Sequence, residues 1–234
     1  MRSPDLCTGI EDFVHIDEEV KTFGIHIAFT VSWAEESVPI SGYPFEDDVN
    51  RLVEFVKSNF TLENLKNHRV VRAYRDFFWR LGIDPTKTRP ASEALVRRAL
   101  RNQFPRINTV VDAGNIASVH TFIPIGIYDL DKALLPLRIK LSRGSEVFKP
   151  IGGREEVLGK GVPILVDSKG TVMHIYPHRD SVETCVTDST KRIITIAAGV
   201  PGVEKELVVK AVQIVVELLK KVGWRSCTEI VYKY

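Results

Sequence analysis

Residues 75–131 read RDFFWRLGIDPTKTRPASEALVRRALRNQFPRINTVVDAGNIASVHTFIPIGIYDLD. Tyr74, Phe77, Phe78 and Leu81 follow the i, i+3, i+4, i+7 spacing of one buried helix face. Gly82 then suits the left-handed residue that ends such a helix. IDPTKTRP is a rigid turn, because Pro85 and Pro90 fix φ and disfavour helix in the residue before them. Pro90 fits the first turn of a second helix, ASEALVRRAL. Asn108 is placed to cap a third, TVVDAGNIASVH. Gly114 inside that helix costs about 1 kcal/mol against Ala, so it marks either a close backbone approach or a tight packing crossing. FIPIGIYDL is a strand, and Pro124 puts it at an edge or beside a bulge.

Towards the N-terminus, GIHIAFTVSW alternates and reads as a half-buried strand, with Phe23, Ile25, Ile27, Phe29 and Val31 on one face. A loop follows over 34–45, with Pro39, Gly42 and Pro44. Asp47 or Asp48 can cap a helix to about Asn59, and a helical region broken near His68 leads to Leu81. Towards the C-terminus, LRIKLS, EVFKPIG, VPILVD and TVMHIY are short strands, the last two joined by a turn at Ser168-Lys169-Gly170. HRDSVETCVT reads as irregular and KRIITIAAG as a buried strand. A helix from about Val203 to Val222 has a wide apolar face and ends at Gly223. TEIVYKY closes the chain as a strand. Helices dominate the first half and strands the second, so the class is α+β, with helices packed on a β-sandwich-like sheet core. No Pro/Gly/Ser linker interrupts it, which predicts one domain over 1–234.

With 234 residues, 44% apolar and 26% charged, the chain has the composition of a soluble globular protein. No stretch approaches the roughly 20 apolar residues of a membrane span. MRSPDLCTGIEDF lacks a signal-peptide core. Cys7, Cys185 and Cys227 are scattered and odd in number, and indicate neither a zinc site nor a disulfide framework. The expected compartment is the cytoplasm. The net charge of +2 neither demands nor excludes nucleic acid. Arg69, Arg72, Arg75, Arg80, Lys87, Arg89, Arg97, Arg98, Arg101 and Arg106 nevertheless crowd one third of the chain, either as phosphate contacts or as solvated helix faces.

No phosphate loop, nucleophile elbow or HExxH motif is present, and no cofactor is implied. His174 and His178 are four apart, but Pro177 lies between them at a strand end, so no metal site is expected. In HRDS, Arg179 can clamp a carboxylate or phosphate and Asp180 can hold an amine, or the two form a surface ion pair. Glu93 and Arg97 suit an i, i+4 ion pair. Asp112 and Asn115 share a helix face, and Asn115 can orient water or cap a helix.

RLGIDPTKTRPASEALVRR, VVDAGN and PIGIYD resemble the tRNA-binding B-three/B-four domain. That module occurs in the β-subunit of bacterial-type phenylalanyl-tRNA synthetase and as free-standing proteins. The similarity spans about residues 70–195, with an N-terminal strand and helices and a C-terminal helix added. It implies an α+β fold with a β-sandwich and, in the synthetase, a site that hydrolyses the ester of a wrongly attached amino acid, chiefly tyrosine. On this resemblance Arg106 corresponds to an arginine near the editing pocket, Asp112 and Asn115 to the family's VVDxxN segment, and Pro124 to its pocket proline. Two positions depart from it. The synthetase domain has a histidine where this chain has Gly126, and a glutamate on the strand matching ITIAAG, where Thr195 and Ile196 stand.

The expected function is tRNA binding with hydrolysis of mischarged aminoacyl-tRNA in trans. The alternatives are a non-catalytic tRNA or amino-acid binding module, and an enzyme acting on a small amide or ester. The partner is tRNA or aminoacyl-tRNA. Asn115 and His178 are the expected catalytic residues, with His120 as another candidate base. Glu93, Arg98, Arg106, Asp112, Pro124, Arg179 and Asp180 are the expected substrate contacts. Glu93, Asn115, Arg179 and Asp180 are expected to converge on one cleft between the helical half and the sheet.

Overall fold

The computed structural model describes residues 6–35 and 42–234. Residues 36–41 of the expected loop, including Pro39, lie outside them, as do residues 1–5. In chain order the first half contains β1 (Val14–Ile16), α1 (Glu18–Lys21), β2 (His26–Trp33), α2 (Glu46–Asn59), α3 (Arg69–Arg80), α4 (Ala91–Leu100) and α5 (Thr109–Thr121). Then come β3 (Ile125–Asp129), β4 (Leu137–Arg143), β5 (Val147–Phe148), β6 (Glu156–Val157), β7 (Lys160–Val166), β8 (Val172–Ile175) and β9 (Arg179–Asp180). β10 (Arg192–Gly199), α6 (Lys205–Lys221), β11 (Arg225–Ser226) and β12 (Val231–Lys233) complete the chain.

The local signals act as expected in the deciding stretch. Tyr74, Phe77 and Phe78 are buried on α3, and Gly82 takes the left-handed conformation, φ 72°. The Asn108 side chain accepts the Val111 N–H, capping α5. Gly114 belongs to a packing crossing, since a Cβ there would lie 2.8 Å from Ile127 Cδ1 of β3. Pro90 stands one residue earlier than expected, as the N-cap of α4.

Two five-stranded sheets form the core. The first runs β1-β4-β7-β8-β9; the second runs β11-β2-β10-β3, with β12 also on β2. α5 packs on β3 and α6 on β2 and β10, so helices cover the second sheet. The β5–β6 hairpin closes a small apolar cluster around Phe148, Ile164, Val166 and Ile175. The main apolar cluster runs from Leu6 to Val231.

Three expectations change. β2 is buried along both faces from His26 to Ser32, because it is an interior strand, with β10 on one side and β11 and β12 on the other. Its alternating large and small residues only looked half-exposed. HRDS is not wholly irregular, since Arg179 and Asp180 form β9, paired to β8. Cys7 and Cys227 form a disulfide across 220 residues of sequence. Folding brings the two ends of the chain together, and nothing in the cysteine spacing reveals that. A disulfide runs against the reducing compartment expected from the cysteine count. Among the described residues, no helix is long and apolar enough to cross a membrane.

Candidate active site between the two sheets

Strand register builds the site. Ile139, Leu165, His174 and Asp180 are successive cross-strand partners over β4, β7, β8 and β9. Directly opposed residues share a face, so these four form one row. On the second sheet Ile196 pairs with Gly126. The two rows face one another across a cavity also lined by Pro124, Tyr128, Tyr176, His178 and Ala91, the first residue of α4.

The polar groups of this cavity form a chain. The Tyr128 hydroxyl donates to Asp180 Oδ1 at 3.0 Å. His174 Nδ1 lies 2.8 Å from the same oxygen. With Nδ1 donating to a carboxylate, Nε2 carries the lone pair whenever the ring is neutral. Burial, reinforced by the neighbouring Asp180 charge, pushes the Tyr128 phenol far up, so it stays a hydrogen-bond donor. His178 packs edge-on against Phe78 of α3, with ring centroids 5.3 Å apart. Its Nδ1 is buried without a partner among the described residues. Burial lowers its pKa to about 4; the His174 and Arg179 charges help and Asp180 opposes. Near neutral pH His178 is therefore an uncharged acceptor.

Gly126 is explained by its neighbour. Residues i and i+2 of a strand share a face, and a Cβ at 126 would overlap the Tyr128 hydroxyl and lie 2.8 Å from its Cε2. Tyr128 thus covers the place where a side chain at 126 would stand.

Of the residues expected at the site, the structure places Pro124, His178 and Asp180 on the cavity. The expected convergence of Glu93, Asn115, Arg179 and Asp180 does not occur; of these four only Asp180 lines it. Arg179 neighbours Asp180 on β9, and successive strand residues point to opposite faces. Its guanidinium therefore reaches Glu156, with Nη1 2.5 Å from Oε1, and lies over the Phe148 ring. Glu93 is fully buried and fully used. It accepts Arg75 Nε and Nη2 at 2.8 and 2.9 Å and Arg97 Nε at 2.8 Å. Burial alone would raise its pKa; the two arginines outweigh that and hold it low.

Asn115 is half-buried on α5, and β3 stands between that helix and the cavity: Ile127 meets α5 while Gly126 and Tyr128 face inward. Asp112 accepts the Ile107 N–H at 2.9 Å and so ties down the turn before α5. Its pKa is raised by burial, against that hydrogen bond and the charge of Arg106. Arg106 borders a separate surface groove with Lys57 and Phe104, Arg98 is exposed, and His120 sits in a wider groove beside α2 and α6.

Sequence reading missed Tyr128, His174 and Tyr176. The available signal was MHIYPHRD read as a tight hairpin, which sets His174 opposite Asp180. Among the described residues, no group of three or more His, Cys, Asp or Glu side chains is placed to hold a metal ion.

Comparison with known proteins adds the family. The B3/4 domain matches residues 73–223. The phenylalanine–tRNA ligase β-subunit of Malacoplasma penetrans is 20% identical over 210 residues, covering 81% of this chain and 26% of that protein. The β-subunit of Methanococcus maripaludis strain C5 is 27% identical over 161 residues, covering 57% and 28%. The chain thus spans about a quarter of the length of these relatives. A solved N-terminal fragment of the phenylalanyl-tRNA synthetase β-subunit from Pyrococcus horikoshii matches with a TM-score of 0.50 at 17% identity, covering 94% of this chain and 54% of that one. That likeness is one of fold, and with the family match over well over half the chain it places this protein in the B3/4 domain family.

Proposed function

We propose that the protein binds tRNA and hydrolyses the ester of a mischarged aminoacyl-tRNA in trans, with the cavity between the sheets as its active site. The observation that carries this reading is His178 on the cavity wall, uncharged near neutral pH and with its Nδ1 buried without a partner among the described residues, beside the hydrogen-bonded chain Tyr128–Asp180–His174. Water hydrogen-bonded to His178 attacks the ester carbonyl carbon. Its proton passes to His178 and then to the ribose oxygen as the carbon–oxygen ester bond breaks. Free amino acid and tRNA leave. The N–H groups of the first turn of α4, which have no partner within the helix, are the donors available to the developing oxyanion, since the Tyr128 proton is already given to Asp180. Asp180 is a positioning residue that orients His174 and Tyr128.

The exposed cations Lys87 and Arg89 lie on the turn that leads into Ala91 at the cavity. Arg72, Arg80, Arg98 and Arg101 extend the exposed charge along α3 and α4, a distribution suited to phosphates. The β-subunit relatives are named as ligases of phenylalanine to tRNA, which supports a nucleic-acid partner of this class. A second reading, a non-catalytic binding module, is favoured by the low proton affinity of His178, since a base of that strength is far from the optimum at neutral pH.

A panel of aminoacyl-tRNAs separates the two. The expected result is release of the amino acid from at least one ester faster than in buffer, with binding that weakens steeply with salt. Salt-sensitive binding without turnover of any ester establishes the binding module; salt-insensitive binding removes tRNA from the account.

A further inference from the structure

We infer that the amino acid removed is a small one (glycine, alanine or serine) and that Tyr128 sets this limit. The inference rests on the deacylase reading given above. The cavity measures about 30 Å³, counted as space for the centre of a water molecule. One water requires roughly 10–15 Å³ on this measure, and an engineered cavity that binds benzene measures about 150 Å³. The enclosed part of the site therefore has room for an attacking water and one group of about its size, such as a methyl or hydroxymethyl. A phenyl or phenol ring does not fit.

The walls that impose this limit are fixed from several sides. Tyr128 is only 2% exposed. Its backbone pairs with Ile194 of β10 on one side and forms a bridge to Cys185 on the other. Its hydroxyl is held by Asp180, and the absent side chain of Gly126 leaves the space its ring occupies. Across the cavity, the Tyr176 hydroxyl donates to the Gly199 carbonyl at 2.6 Å, and the carbonyl of the lining residue Ala198 accepts from the Tyr74 hydroxyl. Turning Tyr128 out would forfeit its hydrogen bond to Asp180 and disturb the strand edge. The pocket is closed to aromatic side chains by one residue of the chain itself, and shortening that residue should open it.

Initial rates on glycyl-, alanyl-, seryl-, phenylalanyl- and tyrosyl-tRNA test this with wild type, Tyr128→Leu and Tyr128→Ala. The leucine variant preserves burial should the alanine variant fail to fold. Wild type should favour the small esters by on the order of 100-fold or more, the upper range for misfit in an apolar pocket. Tyr128→Leu should narrow that ratio by about tenfold or more. Wild type hydrolysing phenylalanyl-tRNA as fast as alanyl-tRNA overturns the size limit while leaving the deacylase reading intact. Benzene as a thermal-shift probe reads the cavity without turnover. It should raise the melting temperature of Tyr128→Leu and not that of wild type. Stabilisation of both, or of neither, overturns the role given to Tyr128. Hydrolysis of no ester, with the benzene pattern as expected, overturns the deacylase reading and not the size limit of the cavity.

Discussion

Glu93 and Asp180 are both carboxylates that the sequence marks as candidate site residues, and the structure gives them opposite situations. Glu93 is fully buried, and its oxygens accept three hydrogen bonds from Arg75 and Arg97. Its charge is spent on holding α3 against α4. Asp180 remains partly open, with a side chain 39% exposed, and one of its oxygens joins Tyr128 and His174 at the edge of a cavity. The contrast shows how to sort polar residues in this fold. A buried charge whose partners all come from the chain belongs to the scaffold, whereas Asp180 and His178, whose Nδ1 has no partner among the described residues, line a cavity.

The largest effect expected from this contrast is on stability. Glu93→Ala leaves two partly buried guanidiniums without their counter-charge and should cost about 3–5 kcal/mol. Asp180→Asn keeps an acceptor for Tyr128 and should cost about 1 kcal/mol. Denaturant melts of both variants measure the difference. Similar losses for the two would erase the distinction between scaffold and site.

A smaller effect separates the two regions by pH. The folded pKa of His178, about 4, lies below its ordinary value of 6.5. The unfolded chain therefore binds the extra proton between those values, and stability falls as pH drops from 6.5 towards 4. The loss amounts to about 3 kcal/mol at most. Glu93 acts lower: its pKa is held below the ordinary 4.5, so its contribution is present above pH 4.5 and is lost only as pH falls through the folded value. Burial also lowers His26 and His68, so the quantity to compare is the difference between wild type and His178→Asn. That variant should flatten the stability profile between pH 4 and 6.5 and leave the steeper loss below 4.5 in place. An unchanged profile between 4 and 6.5 would mean that His178 titrates as it does in the unfolded chain.

The same contrast explains what could be read from the residues alone. α3, α4, α5 and β3 were legible because each depends on local chemistry: an apolar face, two prolines, the Asn108 cap, and a proline at a strand edge. The Glu93–Arg97 pair was legible for the same reason, being four residues apart on one helix. The site was legible only in part, because it depends on register between strands. His178 and Asp180 stood out as polar residues outside a strand. Arg179 stood out equally, and only the alternation of β9 sends it to the opposite face. Asn115 looked available until β3 proved to stand between α5 and the cavity. Tyr128 read as an ordinary strand aromatic, since its position over Gly126 and its bond to Asp180 need the second sheet. The Cys7–Cys227 bond needs the whole fold.

The most direct test of the cavity as active site is the rate at which wild type and His178→Ala release alanine from alanyl-tRNA, both proteins first shown to be folded by thermal melting. Release by wild type should exceed the rate in buffer. Loss of the positioned base should lower it by on the order of 100-fold or more. A folded His178→Ala protein that releases alanine at the wild-type rate, or a wild type no faster than buffer, would contradict the assignment.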